Sequence, residues 1–210
     1  MQIEIFDVKK NGAIEPINRG SVNVISVIMP AIDIGQATLA ACRMIQYAGI
    51  SMRMIIVHDA IRQGFVKSLN RIASNIDSEF IAYVAQDALA GQHWLRIAHE
   101  TLVHEKKSVL AFNDGRYNGD LATFGLVRKS FCEQFYGAGH IFFEGYKTHR
   151  ADDELTLLAK LHHQIAFSPS ALLVEADFRT QRLIDPDDIA LFDTRKIQLI
   201  AQYKKVFTPS

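Results

Sequence analysis

Apolar positions along the chain keep two rhythms that alternate. Val22 to Met29 is an almost unbroken apolar run rich in β-branched residues, which predicts a central strand stopped at Pro30, because proline has no N–H for a sheet ladder. Residues 36–48 then place Ala37, Ala40, Ala41, Met44, Ile45 and Ala48 at i, i+3, i+4, i+7 spacing, one stripe of a helix. The pair repeats. Met52 to Val57 reads as a strand buried on both faces and closing on His58-Asp59, and Gly64 to Ser74 is helical through Phe65, Leu69, Ile72 and Ala73. Phe80 to Val84 is a third strand, closing on Ala85-Gln86-Asp87, and Gln92 to His104 is helical through Leu95, Ala98 and Leu102. Three strand–helix units joined by right-handed crossovers predict an α/β fold with a mostly parallel sheet between helices. Ahead of them, residues 1–20 alternate weakly around Lys9-Lys10-Asn11-Gly12, the signal of an N-terminal hairpin.

The pattern loosens after residue 105. Ser108–Phe112 and Leu121–Val127 read as strands, residues 131–146 form an aromatic and glycine-rich stretch, and Leu155, Leu158, Ala159 and His162 mark a helix opened by Asp152-Asp153-Glu154. Ile165–Phe167 and Ala171–Val174 are two further short strands, and residues 187–206 a terminal helix with Ile197, Ile200 and Ala201 turned inward. No repeat or linker divides the chain. It reads as one domain over 1–210, with a first half at 22–105 and a second at 106–180.

Composition narrows the classes. With 23 basic against 23 acidic residues there is no field to recruit nucleic acid or an anionic membrane, so a polyanion must be met locally. Cys42 and Cys132 are too few for a disulfide framework or a four-cysteine zinc site, which points to a reducing, cytoplasmic setting. The N-terminus has no signal-peptide pattern, and no apolar stretch approaches the roughly 18 residues needed to cross a bilayer. The eight histidines show no repeated metal-ligand spacing.

In open parallel sheets ligands gather at the carboxyl ends of the strands, and here those ends carry Asp33, Asp59 and Asp87. Any one of them serves equally well as a turn former or helix cap. Asp87 also suits a hard divalent cation held against a diphosphate, since magnesium needs only one or two protein carboxylates.

The sequence Ile25-Ser26-Val27-Ile28-Met29-Pro30, then Ile55-Ile56-Val57-His58-Asp59, Gly64, Leu69-Asn70, Phe80 to Ala88 and Trp94-Leu95 resembles the nucleotide-binding half of family 2 glycosyltransferases with the GT-A fold. The likeness covers roughly residues 22–175. The Gln86-Asp87-Ala88 form of the Asp-x-Asp motif is most similar to the rhamnosyltransferase-type branch, while Ala85 stands in place of the first acid and Ala60-Ile61 in place of Gly-Ser.

The resemblance implies a mixed, mostly parallel sheet flanked by helices, and a set of roles. Pro30, Ala31 and Asp33 fall in the loop that contacts the nucleotide base, Asp59 in the turn that reads base or ribose, and Asn70, with Lys67 and Arg71, on the helix near the nucleotide. Gln86 joins this nucleotide set, Asp87 binds Mg2+ or Mn2+, and Glu175 stands where some members place a late metal ligand. Aligning on Glu154-Leu155 puts the catalytic base of inverting members at Asp152, with Asp153 next. Phe142, Phe143 and Tyr146 fit either a sugar-stacking platform or an aromatic core.

The implied activity is transfer of a sugar from a nucleotide diphosphate sugar to a hydroxyl of a glycan or lipid-linked glycan, in the cytoplasm or at the inner face of a membrane, with a second subunit or partner completing the acceptor site. Two alternatives stand beside it. A non-catalytic nucleotide- or glycan-binding derivative would account for Ala85 and the missing Gly-Ser. A sugar nucleotidyltransferase shares the sheet but needs a glycine-rich and basic signature near the first strand, which is missing.

Overall fold

The computed structural model describes residues 3–8, 16–176 and 185–207. Three strand–helix units open the fold: β2 (Ile25–Ala31) and α1 (Ile34–Tyr47), β3 (Met52–His58) and α2 (Phe65–Ala73), then β4 (Phe80–Tyr83), which reaches α3 (Trp94–His104) through a short β5 (Ala88–Ala90). β2 and β3 pair in parallel from Ile25↔Met52 to Ala31↔His58, and β2 and β4 pair in parallel through Ser26↔Ile81. Side chains alternate across these strands, so each strand feeds two cores. Val27, Met29, Met54 and Ile56 pack under α1 and α3, and Ile28, Ile55 and Val57 pack under α2. This double burial is why the strands read as continuous apolar runs.

The sheet then reverses. β6 (Val109–Asn113) and β7 (Gly125–Arg128) are antiparallel, β7 is antiparallel to β4, and β8 (Ile165–Glu175) runs parallel to β6, giving the order β1-β3-β2-β4-β7-β6-β8-β5. Gly125 lies opposite Tyr83, and a Cβ there would stand 2.6 Å from the Tyr83 hydroxyl, so only glycine lets the ring cross to donate to the Ala122 carbonyl at 2.6 Å. On the α2 side α4 (Lys129–Tyr136) and α5 (Ala151–Leu161) cover the sheet, and α6 (Pro186–Phe207) packs on α5.

Several expectations change. β1 (Ile3–Asp7) is an edge strand paired in parallel with β3 in place of a hairpin partner; residues 16–20 form no strand, and the Lys-Lys-Asn-Gly turn lies outside the described residues. β2 continues through Pro30, which pairs with Val57, because a missing N–H costs one ladder bond near a strand end without breaking the extended backbone. The two short strands expected at 165–174 are one β8 with an irregularity, bridged where Asn113 Nδ2 donates to the Pro169 carbonyl at 2.8 Å. β5 and α4 were not foreseen. β5 is three residues long, and α4 shows only Phe131, Cys132, Phe135 and Tyr136 as a stripe inside an aromatic stretch.

The stripe of α6 is also phased differently. Ile197 is 72% exposed and Ala201 is exposed, while Ile200 is half-buried as expected, on an inward face shared with Phe192, Arg195, Leu199 and Tyr203. An apolar stripe does not mark this face, because its central inward residue, Arg195, is charged.

Candidate functional site

A cleft of about 630 Å³ opens where β4, β6 and β8 end and α5 begins. Tyr83 and Phe142 line its apolar side, and Asp114, Asp152, Asp153 and Glu175 bring carboxylates to it. Asp114 is committed to its own loop: it accepts from the Arg116 and Tyr117 N–H groups at 2.8 Å and from the Thr123 hydroxyl at 2.8 Å.

The three acids that open α5 have three different environments. Glu154 is fully buried, receives Arg195 Nε at 2.6 Å and Nη2 at 2.7 Å, and accepts from the Tyr146 hydroxyl at 2.7 Å. A charge-assisted fork of this kind ties α6 to α5. Asp153 receives Arg150 Nη1 at 3.2 Å. Asp152 faces the cleft, and burial, reinforced by the neighbouring Asp153 charge, pushes its carboxyl up to about 7 against the opposing pull of the helix-start N–H groups and Arg150. The residue before α5, Arg150, has φ 65° and offers no side-chain cap.

The residues expected to meet a nucleotide hold one another instead. Gln86 Oε1 accepts from the Ile32 and Asp33 N–H groups at 2.8 and 3.1 Å, and its Nε2 donates to Gln36 Oε1 at 2.7 Å. Asp33 caps α1 by accepting from the Gln36 N–H at 3.0 Å. Asp59, 5% exposed, accepts from the Gln63 and Gly64 N–H groups at 2.9 and 2.8 Å, closing the turn where Gly-Ser would otherwise stand. Pro30 and Ala31 are buried strand residues and not loop residues.

Asn70 is 3% exposed and fully used: its Oδ1 accepts from the Ile141 and Phe142 N–H groups at 3.0 and 3.1 Å, and its Nδ2 donates to the Phe142 carbonyl at 2.8 Å. It fixes the loop that carries Phe142 into the cleft. Lys67 and Arg71 line a separate groove with His140 and Glu144. Tyr146 is buried and Phe143 lies under the Arg195 guanidinium at 3.4 Å, so these two are core, while Phe142, 1% exposed, is a core residue that also lines the cleft. Asn70, Gln86 and Asp188, which accepts from the Lys147, Thr148 and His149 N–H groups, organise the site's loops. Asp188 was missed in the sequence, where it is one acid in an ordinary helix start.

Asp87 is half-buried, and its carboxylate has no hydrogen bond or ion pair among the described residues. Its carbonyl accepts from the Ala176 N–H at 2.8 Å, and Ala88 pairs with Glu175, so the two carboxylates end neighbouring strands. Among the described residues no group of three or more His, Cys, Asp or Glu is arranged to hold a metal. Two hard oxygen donors fit Mg2+ or Mn2+ that shares its shell with a diphosphate and water, and do not make a protein-only cage.

No family model and no curated protein sequence matches the chain. Solved structures do. A mannosyltransferase from Pyrobaculum calidifontis, in complex with GDP-Man and Mn2+, superposes with a TM-score of 0.55 at 14% identity, over 89% of this chain and 64% of that one. S. aureus TarS in complex with UDP-GlcNAc gives 0.56 at 14% identity, over 86% and 66%. The Drosophila β-1,4-galactosyltransferase 7, in complex with manganese, UDP-Gal and xylobiose, gives 0.54 at 14% identity, over 79% and 78%. The chain spans about three-fifths to two-thirds of the length of the first two proteins. No helix among the described residues is long and apolar enough to cross a membrane. The reversal after β4, the two-sided core and these superpositions together show that the chain has the GT-A fold.

Proposed function

We propose that the protein is an inverting glycosyltransferase that moves a sugar from a nucleotide diphosphate donor to a hydroxyl of a glycan acceptor, with Asp152 as the base. The observation that carries this is Asp152 itself, a carboxyl at the head of α5 facing a 630 Å³ cleft and raised to about 7. A general base works best with a pKa near the operating pH, and such assistance contributes about 10²–10⁴-fold in rate. Structures of the same fold with UDP-GlcNAc, GDP-Man and UDP-Gal support the choice of donor class.

The chemistry is one in-line displacement. The Asp152 carboxylate takes the proton of the acceptor hydroxyl as its oxygen attacks the anomeric carbon. The bond from that carbon to the nucleoside diphosphate breaks on the opposite face, which inverts the centre. A divalent cation, when bound, supplies positive charge to the departing diphosphate, and Asp87 with Glu175 would hold it. Asp33, Asp59 and Gln86 shape the nucleotide rim through the loops they tie, with Pro30, Ala31 and Asn70 supporting it from the sheet and from α2.

The test is release of nucleoside diphosphate by wild type and Asp152→Asn, beside calorimetry with a panel of nucleoside diphosphates with and without Mn2+. Asp152→Asn should bind normally and turn over at least about 100-fold more slowly. Equal turnover would remove Asp152 from the mechanism. If Asp153→Asn alone abolished turnover, the base would be Asp153.

A further inference from the structure

Asp188 is a carboxylate with 2% exposure that accepts hydrogen bonds from three backbone N–H groups, and His149 nearby favours its ionised form. Oδ1 accepts from the Lys147 N–H at 2.9 Å, and Oδ2 accepts from the Thr148 and His149 N–H groups at 2.9 and 2.8 Å. Three consecutive N–H groups converging on one carboxylate make an anion nest filled by the chain's own side chain. Burial works against ionisation of Asp188, yet these donors outweigh it and hold the carboxyl below its usual range. The segment they define is held from its other side as well. The Val66 N–H donates to the Lys147 carbonyl at 3.2 Å, and Gly64, at φ 108°, has no Cβ because the same carbonyl fills that space.

This clamped run ends in Arg150, whose left-handed backbone turns the chain into α5, and Asp152 is the second residue of that helix. Downstream of Asp152, α6 takes a second hold through Arg195 on Glu154. One helix thus holds the chain on both sides of the residue facing the cleft, at 147–149 ahead of α5 and at Glu154 within it.

We propose that Asp188 is a positioning residue: from α6 it sets the 147–150 segment, and through it the orientation and water exclusion of Asp152. The proposal rests on the reading of Asp152 as base, and its first readout needs no substrate. Around Asp152 stand Asp153 beside it on α5, His149 and Arg150 from the segment before α5, Tyr83 from β4, Asp114, Arg116 and Tyr117 from the β6–β7 loop, and Glu175 from β8. Asp188 is not among them, so it acts through the 147–149 segment that it holds, which carries His149 to the cleft.

The experiment follows the Asp152 carboxyl carbon by NMR across pH in aspartate-labelled wild type, Asp188→Asn and Asp187→Asn. Asp187 is exposed in the same first turn of α6, and its substitution makes the same charge change without touching 147–149. Asp188→Asn should titrate lower by about one pH unit, as water reaches a loosened first turn, while Asp187→Asn stays at the wild-type value. In donor turnover, Asp188→Asn should lose about tenfold in kcat with KM within about twofold, the signature of a misplaced group and not of lost binding.

An unmoved Asp152 titration in a folded Asp188→Asn, or an equal shift in both variants, overturns the proposal. If Asp188→Asn does not fold, amide exchange in wild type decides. The Thr148 and His149 N–H groups should exchange about 100-fold or more slowly than an open loop, and exchange at open-loop rates overturns the proposal. A shifted titration with fully active Asp152→Asn would leave the positioning intact and remove the base; an unshifted one with inactive Asp152→Asn would do the reverse.

Discussion

The two halves of the molecule place acids at comparable points and use them differently. In the first half, Asp33 and Asp59 follow strands and face the rim, yet their oxygens cap α1 and close the β3–α2 turn. In the second half, neighbouring acids of one helix turn diverge: Glu154 is consumed by Arg195 and Tyr146, and Asp152 is half-buried without such partners and raised to about 7. A carboxylate already satisfied by its own fold organises geometry. One whose ionised form desolvation disfavours more than its neighbours restore is ready to take a proton.

Substituting Glu154, the consumed acid of this turn, should break the contrast most severely. Glu154→Gln leaves Arg195 partly buried without its counter-charge and should cost about 3 kcal/mol, read as a lower denaturation midpoint at unchanged slope. A loss below about 1 kcal/mol would mean that α6 is held by other contacts. Next is Asn70→Ala, which strands the Ile141 and Phe142 N–H groups and should cost about 2–3 kcal/mol by the same measurement.

Gln86→Ala should be milder, about 1 kcal/mol, because its partners are exposed enough to find water. Its larger effect should be a raised donor KM as the 32–33 segment loosens. Smallest in stability is Asp87→Ala, within about 0.5 kcal/mol, since its carboxylate has no partner among the described residues. It should nonetheless abolish the Mn2+-dependent part of nucleotide diphosphate binding in calorimetry, and unchanged metal dependence would move the cation site elsewhere.

The alternating rhythms made the first half legible, because strands buried on both faces and amphipathic helices each leave a periodic signature. β2, α1, β3, α2, β4 and α3 lie where that signature places them, within a few residues. The second half carried less of it. β5 is too short to show a period, α4 is masked by aromatics on several sides, and the inward face of α6 is centred on Arg195, whose burial makes sense only with Glu154 opposite. The site followed the same division. Asp152 was legible as an acid at a helix start, and Asp59 as a turn former that accepts from N–H groups four and five residues on, but the commitments of Gln86 and Asn70 to backbone N–H groups depend on segments 53 to 72 residues away, and no local pattern shows them. Asp188 is the extreme case, since its three partners lie 39 to 41 residues upstream.

The pH dependence tests the assignment of Asp152 from a second direction. Its folded-state pKa stands above the ordinary carboxylate value, so between about pH 4 and 7 the folded chain binds a proton that the unfolded chain does not, and stability falls as pH rises through that window. Turnover runs the opposite way, because the base must be ionised. The most direct measurement is the rate of nucleoside diphosphate release from a donor sugar across pH 5–9 in wild type and Asp152→Asn. The wild-type rate should climb about tenfold per unit and level off near pH 7, while Asp152→Asn should be slow and flat with donor binding intact. A wild-type profile without that rise, or a variant as active as wild type, would contradict the account.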